Sequence, residues 1–286
     1  MVTLTKEELR QVQMIQLEML EEVDRICRKC NIHYNIIAGT LLGAVRHGGF
    51  IPWDDDADVA LLRSEYERFR KACRTELDES RFYFQDHRNT KGYRWGYGKL
   101  RRKGTLFLRE HQEDMPYGQG IFIDIFPLDG VPDGYLARCL KNFQCFCVRK
   151  ILWSRVGKQA DPSPVRRQIY RLLDRIPQER VFGYYHRMIR QAGKRETAYV
   201  RILTFPTPNR CYGYRRAWYA RSREILFEGK RFWGISSYHD YLSFKFGDYM
   251  RLPRKEDRKA HPVSRLILLN REEDAGEKNQ PDYTRL

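Results

Sequence analysis

Four carboxylates fall within five residues of this sequence: Asp54, Asp55, Asp56 and Asp58. On an extended strand side chains alternate between faces, which puts Asp54, Asp56 and Asp58 on one side at spacings of about 7 Å. Charges so placed repel one another. A hard divalent cation, Mg²⁺ or Mn²⁺, prefers carboxylate oxygens together with substrate phosphates and would relieve that repulsion. Asp55 is expected to point away and to take no direct part. A bare acidic run also suits a solvated loop. Here Phe50-Ile51-Pro52-Trp53 precedes it and Val59-Ala60-Leu61-Leu62 follows it, so it leads straight into a core.

A further acid, Asp124, stands in an apolar run between Ile123 and Ile125. A carboxylate among such neighbours is costly unless paired. Two readings stay open: a satisfied buried ion pair, or a third metal ligand or general base beside the first group. Gly39 and Thr40 supply the complementary half. A strand at 34–38, a glycine turn and a short helix over 41–46, with Thr40 as its N-cap and Gly48-Gly49 as its stop, form an anion site, because free backbone N–H groups and the helix dipole favour phosphate. Glycine turn, strand of alternating acids, distant strand with one acid: this order describes a phosphate cradle facing a divalent-metal platform.

Other elements must position these groups. Residues 5–31 read as an amphipathic helix opened by a Thr5/Glu8 capping box. Cys27 and Cys30 on it form no metal site with any second thiol pair and read as packing. A strand is expected over Asp54–Leu62 and a helix from Ser64. A hairpin is expected between 91 and 109, turning at Arg102-Lys103-Gly104. Lys99, Arg101 and Arg102 beside that turn are candidate phosphate contacts or a solvated basic turn. The strand at 121–126 should end at Pro127 and Asp129-Gly130. Residues 135–230 look mainly helical, with a break at Asp161-Pro162-Ser163-Pro164, and another helix is expected over 236–250.

Composition sets outer bounds. With 286 residues, 42% hydrophobic and 31% charged, the chain can bury a core and is not globally disordered. No run approaches 18 uncharged apolar residues, and the N-terminus lacks the basic and apolar regions of a secretory signal. Seven cysteines, an odd number, fit reduced thiols and a cytoplasmic location. The net charge of +16 is concentrated: residues 131–230 hold 22 Lys/Arg against 7 Asp/Glu. Such a region implies an anionic partner. An anionic membrane with its lipid-linked glycans, or a merely solvated insertion, suits it better than nucleic acid, for which no motif is present.

The residues also carry a family resemblance. GTLLGAVRHGGFIPWDDDADV at 39–59, KLRRKGT at 99–105, IFIDIFPLDGVP at 121–132 and FGDYMRLPRKEDRKAHP at 246–262 resemble, in order, the blocks of the LicD family. The resemblance implies an α+β, nucleotidyltransferase-like fold: a small mixed β-sheet flanked by helices, with a basic helical insertion. It implies a catalytic core over 1–134, an insertion over 135–235, a C-terminal segment over 236–268 packing on the core, and a polar tail over 269–286. The activity implied is transfer of phosphocholine or a related phospho-alcohol from a cytidine diphosphate (CDP) donor such as CDP-choline. The acceptor would be a hydroxyl of a lipid-linked teichoic acid, capsule or lipopolysaccharide precursor, at the inner face of the membrane. Alternatives are a true nucleotidyltransferase acting on a sugar phosphate and a non-catalytic scaffold. The implied catalytic and metal residues are Asp56, Asp58 and Asp124, with Asp54 as a further ligand. Gly39, Thr40, Lys99 and Arg101 are expected at the donor phosphate. A choline head group would call for aromatic faces, for which Trp53, Tyr93, Trp95 and Tyr97 are the candidates.

Overall fold

A computed structural model describes residues 4–208, 213–258 and 260–269. Helix α1 (Lys6–Lys29) opens on the expected capping box: Glu8 N–H donates to Thr5 Oγ1 at 3.1 Å and Thr5 N–H to Glu8 Oε2 at 2.8 Å. Its apolar stripe, including Cys27, is buried. So are two glutamines on it. Gln13 Nε2 donates to the Asp54 carbonyl at 2.9 Å, and Gln16 Nε2 to the carbonyls of Asp55 at 2.8 Å and Phe122 at 3.1 Å. This helix therefore holds the backbone of both acid-bearing segments.

There follow β1 (Asn35–Ile36), α2 (Ala38–His47), β2 (Asp58–Leu62), α3 (Arg63–Ala72), β3 (Phe82–Gln85), β4 (Gly98–Arg102), β5 (Leu106–Arg109) and β6 (Phe122–Val131). Helices α4 (Tyr135–Ala160), α5 (Pro164–Leu173) and α6 (Gln178–Ala192) come next, with the expected break between α4 and α5 capped by Ser163. The chain then adds β7 (Tyr199–Arg201), β8 (Tyr214–Arg215), α7 (Ala217–Ala220), β9 (Ser222–Phe227), β10 (Lys230–Ile235), α8 (Tyr238–Phe246) and β11 (Val263–Ile267). The main sheet runs β3-β4-β6-β2-β1-β10-β9, with β7 continuing from β6 and β8 from β7. β2 is parallel to β6 and β1 to β10, and the other pairs are antiparallel, so the sheet is mixed and the class α+β, as expected.

Several local expectations change. The 91–109 hairpin does not form: β4 already has β3 on one edge and β6 on the other, so β5 turns away and pairs with β11. β6 does not stop at Pro127. Its pairing with β4 ends at Ile125 and that with β7 begins at Asp129, so the missing proline N–H falls in a gap of the ladder. Helix α2 begins at Ala38, which sits at φ +50°, so Gly39 and Thr40 lie inside its first turn and Thr40 is not the N-cap. Gly48, at φ +71°, ends the helix as expected.

Among the described residues the stretch 135–235 is mainly helical to Ala192, and the short α7 is the one α-helix beyond it. Past Ala192, β7–β10 complete the sheet, and Glu228 and Gly229, at φ +51° and +76°, make the tight turn between β9 and β10. Of the segment 236–268, α8 lies against β10 and β11 pairs with β5. The polar tail expected over 269–286 lies, past Leu269, outside the described residues.

Candidate active site

The parallel ladder of β2 and β6 sets Asp58 beside Asp124, at the strand spacing of about 4.8 Å. Asp124 N–H donates to the Ala57 carbonyl at 2.8 Å, which fixes the register at the mouth of the ladder. Residues 54–57 run into β2 without joining it, yet their alternation holds. Asp55, Ala57 and Val59 are buried, while Asp54, Asp56 and Asp58 are only partly so. Helix α2 abuts this row. A Cβ on Gly39 would stand 2.6 Å from Asp54 Oδ2, and Thr40 Oγ1 accepts the Asp58 N–H at 2.7 Å. The hydroxyl thus anchors the first residue of β2.

The carboxylates load one another electrostatically. Burial, then the charges of Asp56 and Asp55, push Asp54 up to about 8. Burial, then Asp56, Asp124 and Asp54, push Asp58 well above the usual range. Asp56 is also raised by burial, against the opposing pull of Arg109 and His261. Protein cations answer only part of this charge. Lys99 Nζ lies 2.5 Å from Asp124 Oδ1, in surroundings whose burial lowers the ammonium to about 8 despite that partner. Lys245 of α8 is lowered by burial against the attraction of Asp58.

Asp55 is not idle. It is wholly buried, and its Oδ1 faces His261 Nδ1 at 2.7 Å and accepts the His261 backbone N–H at 3.2 Å. Arg109 Nη2 stands 3.5 Å from Asp55 Oδ2 and 3.8 Å from Asp56 Oδ2. Burial raises Asp55, but the His261 hydrogen bond and the Arg109 charge outweigh it and hold the carboxyl below its usual range. In return the Asp55 hydrogen bond raises His261. Asp55 Oδ2 is nonetheless buried without a hydrogen-bond partner among the described residues. Asp55, Asp56 and His261 each offer one ligand atom within 4.8 Å of the others, a group able to hold a metal ion. Oxygen-rich donors, mutual repulsion and an orphaned buried oxygen all fit a hard divalent cation.

Asp56, Asp124 and His261 line a cleft of about 530 Å³, whereas Asp54 and Asp58 are not among its lining residues. Lys99, Arg101 and Arg109 give it a cationic floor, and α4 contributes Arg149, Lys150 and Trp153 from the basic insertion. Arg94 ties α4 to the core through the carbonyls of Ile151 and Leu152, both at 3.0 Å.

Of the aromatic candidates, Trp95 and Tyr97 line the cleft, joined by Trp153 and Phe205, with Trp95 and Trp153 centroids 5.7 Å apart. Tyr93 does not line the cleft: it is buried behind it in one cluster with Trp95 and Tyr117, and Trp53 lies outside the cleft under the Arg258 guanidinium at 5.0 Å. Tyr93, Trp95 and Tyr97 precede β4 and do not share a strand face. Arg101 lines the floor, but its guanidinium is engaged by Gln85 Oε1 and the Gly120 carbonyl, both at 2.7 Å. Arg102 is buried against Phe82, away from the cleft.

Comparison with known proteins comes to the same domain. Residues 31–135 match the family model described as LicD/FKTN/FKRP, nucleotidyltransferase domain. The lipopolysaccharide cholinephosphotransferase LicD of Haemophilus influenzae is 26% identical over 268 residues, which cover 91% of this chain and 98% of that protein. Two uncharacterized proteins, of Rickettsia typhi and Rickettsia prowazekii, are 41% and 44% identical over 54 and 48 residues, 19% and 17% of this chain and 18% of each of theirs.

Proposed function

We propose, from the match of residues 31–135 to the LicD/FKTN/FKRP nucleotidyltransferase domain and the similarity to a lipopolysaccharide cholinephosphotransferase, that the chain is LicD-like and transfers phosphocholine, or a closely related phospho-alcohol, from a CDP-linked donor to a hydroxyl of a lipopolysaccharide-type glycan. One observation carries this reading: Asp58 of β2 and Asp124 of β6 meet beside the start of α2, and Asp56 and Asp124 open on a cationic, aromatic-walled cleft. In the reaction the acceptor oxygen bonds to the phosphorus that bears the alcohol, and the pyrophosphate bridge breaks toward the nucleotide. Cytidine monophosphate leaves, and the acceptor proton passes to a base.

The residues suit those tasks. Asp56 and Asp58 would hold a divalent cation with Asp124 and Asp54 beside them, and Asp56 is shared with the Asp55–His261 group. Bound there, the ion would supply charge neutralisation at the pyrophosphate. Lys99 and Arg109, with Arg149 and Lys150 across the cleft, supply positive charge to the donor phosphates. The first turn of α2, with Gly39 and Thr40, adds backbone N–H groups. Asp124 is the third ligand or the carboxylate that accepts the acceptor proton, and Lys99 orients it. Trp95 and Tyr97 face the alcohol head group, and a trimethylammonium would be held by cation–π attraction.

A donor screen tests the proposal. The protein with Mg²⁺ is offered CDP-choline, -ethanolamine, -glycerol and -ribitol together with a lipopolysaccharide acceptor, and products are read by mass spectrometry. Cytidine monophosphate with a phospho-alcohol on the glycan is the expected result. Pyrophosphate release from cytidine triphosphate and a sugar phosphate would instead make it a true nucleotidyltransferase. Metal-independent glycan binding without turnover would make it a scaffold.

A further inference from the structure

Large apolar side chains are unevenly exposed on this molecule. Along the first half of α4, Leu136, Leu140 and Phe143 are 80%, 59% and 62% exposed at i, i+4, i+7 spacing. Along α5, Val165, Ile169 and Leu172 are 67%, 49% and 61% exposed at the same spacing. The two rows face one side. Five helical turns on from Leu136 stands Ser154, whose Oγ contacts Asp174 just past α5 at 3.3 Å. The short helix therefore lies over the continuation of the α4 row and presents its own row outward, since Tyr170 packs inward on Gly157. Core packing accounts for neither row, and single exposed leucines would need no account whereas two parallel rows do.

The surrounding charge identifies what covers them. Residues 135–175 hold ten Lys/Arg and two acids, Asp161 and Asp174. Both acids are spent on internal pairs, Asp161 with Arg166 at 2.8 Å and Asp174 with Lys158 at 2.7 Å. Arg166, Arg171 and Arg175 are exposed beside the α5 row. A second copy of so basic a surface would be repelled, whereas an apolar row flanked by arginines matches the boundary between anionic head groups and acyl chains. We propose that the α4–α5 pair is a lipid-docking surface that seats the protein on an anionic bilayer. Because α4 also contributes Arg149, Lys150 and Trp153 to the cleft, docking would hold the helix that forms part of the cleft wall against the lipid surface.

The test uses the full chain and sedimentation with vesicles, without donor or acceptor, so the outcome does not depend on the transfer reaction. Vesicles of phosphatidylcholine alone are compared with vesicles containing phosphatidylglycerol. Binding is expected to the anionic vesicles and to weaken with salt. Ile169→Ser and Leu172→Ser are each expected to lower the partition coefficient about tenfold. Leu140→Ser extends the test to α4. All three sites are exposed, and an unchanged circular-dichroism melting curve checks that the variants fold. Three results overturn the proposal: no binding to anionic vesicles, binding untouched by the serine variants, or a dimer in light scattering that those variants dissolve.

Discussion

At the scale of single residues, Asp58 carries a conflict between stability and activity. Burial and three neighbouring carboxylates hold its charge at a cost, while the proposed reaction needs that charge to hold a cation. Asp58→Asn is therefore expected to raise the melting temperature of the metal-free protein. Relief of about 1 kcal/mol would give roughly 2–4 °C. The same change should lower cytidine monophosphate release by about 10²–10³-fold. A structural acid would show the opposite pattern, lower stability with activity following it. His261 is predicted to act in the other direction. Removing its side chain in His261→Ala leaves Asp55 wholly buried, with Arg109 at 3.5 Å as its remaining charged partner. A loss of about 1–3 kcal/mol in urea unfolding is expected.

These residues also show what the sequence made legible. The alternation of acids and the lone Asp124 in an apolar strand could be read directly, because period-two geometry and the cost of burying charge are local rules. Asp55 was expected to be a bystander by the same alternation. It is covered instead by a residue some two hundred positions away, which no local rule connects to it. Lys245 and Arg109 share that character: their sequence neighbourhoods announce nothing about where the chain returns.

At the scale of elements, the site depends on how closely α2 approaches the acids. Gly39 has an ordinary helical backbone, so glycine is not required there by φ. The requirement is the carboxylate of Asp54, 2.6 Å from where a Cβ would sit. Gly39→Ala gains helix propensity of up to about 1 kcal/mol and displaces a flexible side-chain end, so stability should change little. Activity should fall by tenfold or more as Asp54 moves, a split that paired melting and turnover measurements would reveal. Thr40→Val removes the acceptor of the Asp58 N–H and is expected to cost about 1–3 kcal/mol, since that N–H is left partly buried without a partner. Elements with strong periodicity or caps, such as α1, were legible. The pairing of β5 with β11 and the continuation of β6 past Pro127 were not, because each depends on which sheet edges other strands already occupy.

At the scale of the whole molecule, the acid cluster links folding, pH and metal. A carboxyl raised to about 8 in the folded state, as Asp54 is, binds more protons folded than unfolded between the ordinary carboxylate range and that value. Stability then falls as pH rises, because the slope has the sign of unfolded minus folded protons. Asp56 and Asp58, raised by the same burial and mutual repulsion, add to the fall. Lys99 works the other way over a later window. Lowered to about 8, it binds fewer protons folded than unfolded between there and its usual value, so its share of stability returns above pH 8. The metal-free protein should therefore melt at progressively lower temperature from about pH 5 to pH 8. A cation held by the ionised acids should stabilise the fold by mass action, more at pH 8 than at pH 6, because at lower pH it must first displace protons. Melting curves at both pH values, with EDTA and with saturating Mg²⁺, measure the difference. An Mg²⁺ increment equal at the two pH values, or surviving in Asp58→Asn, would place the ion away from these carboxylates.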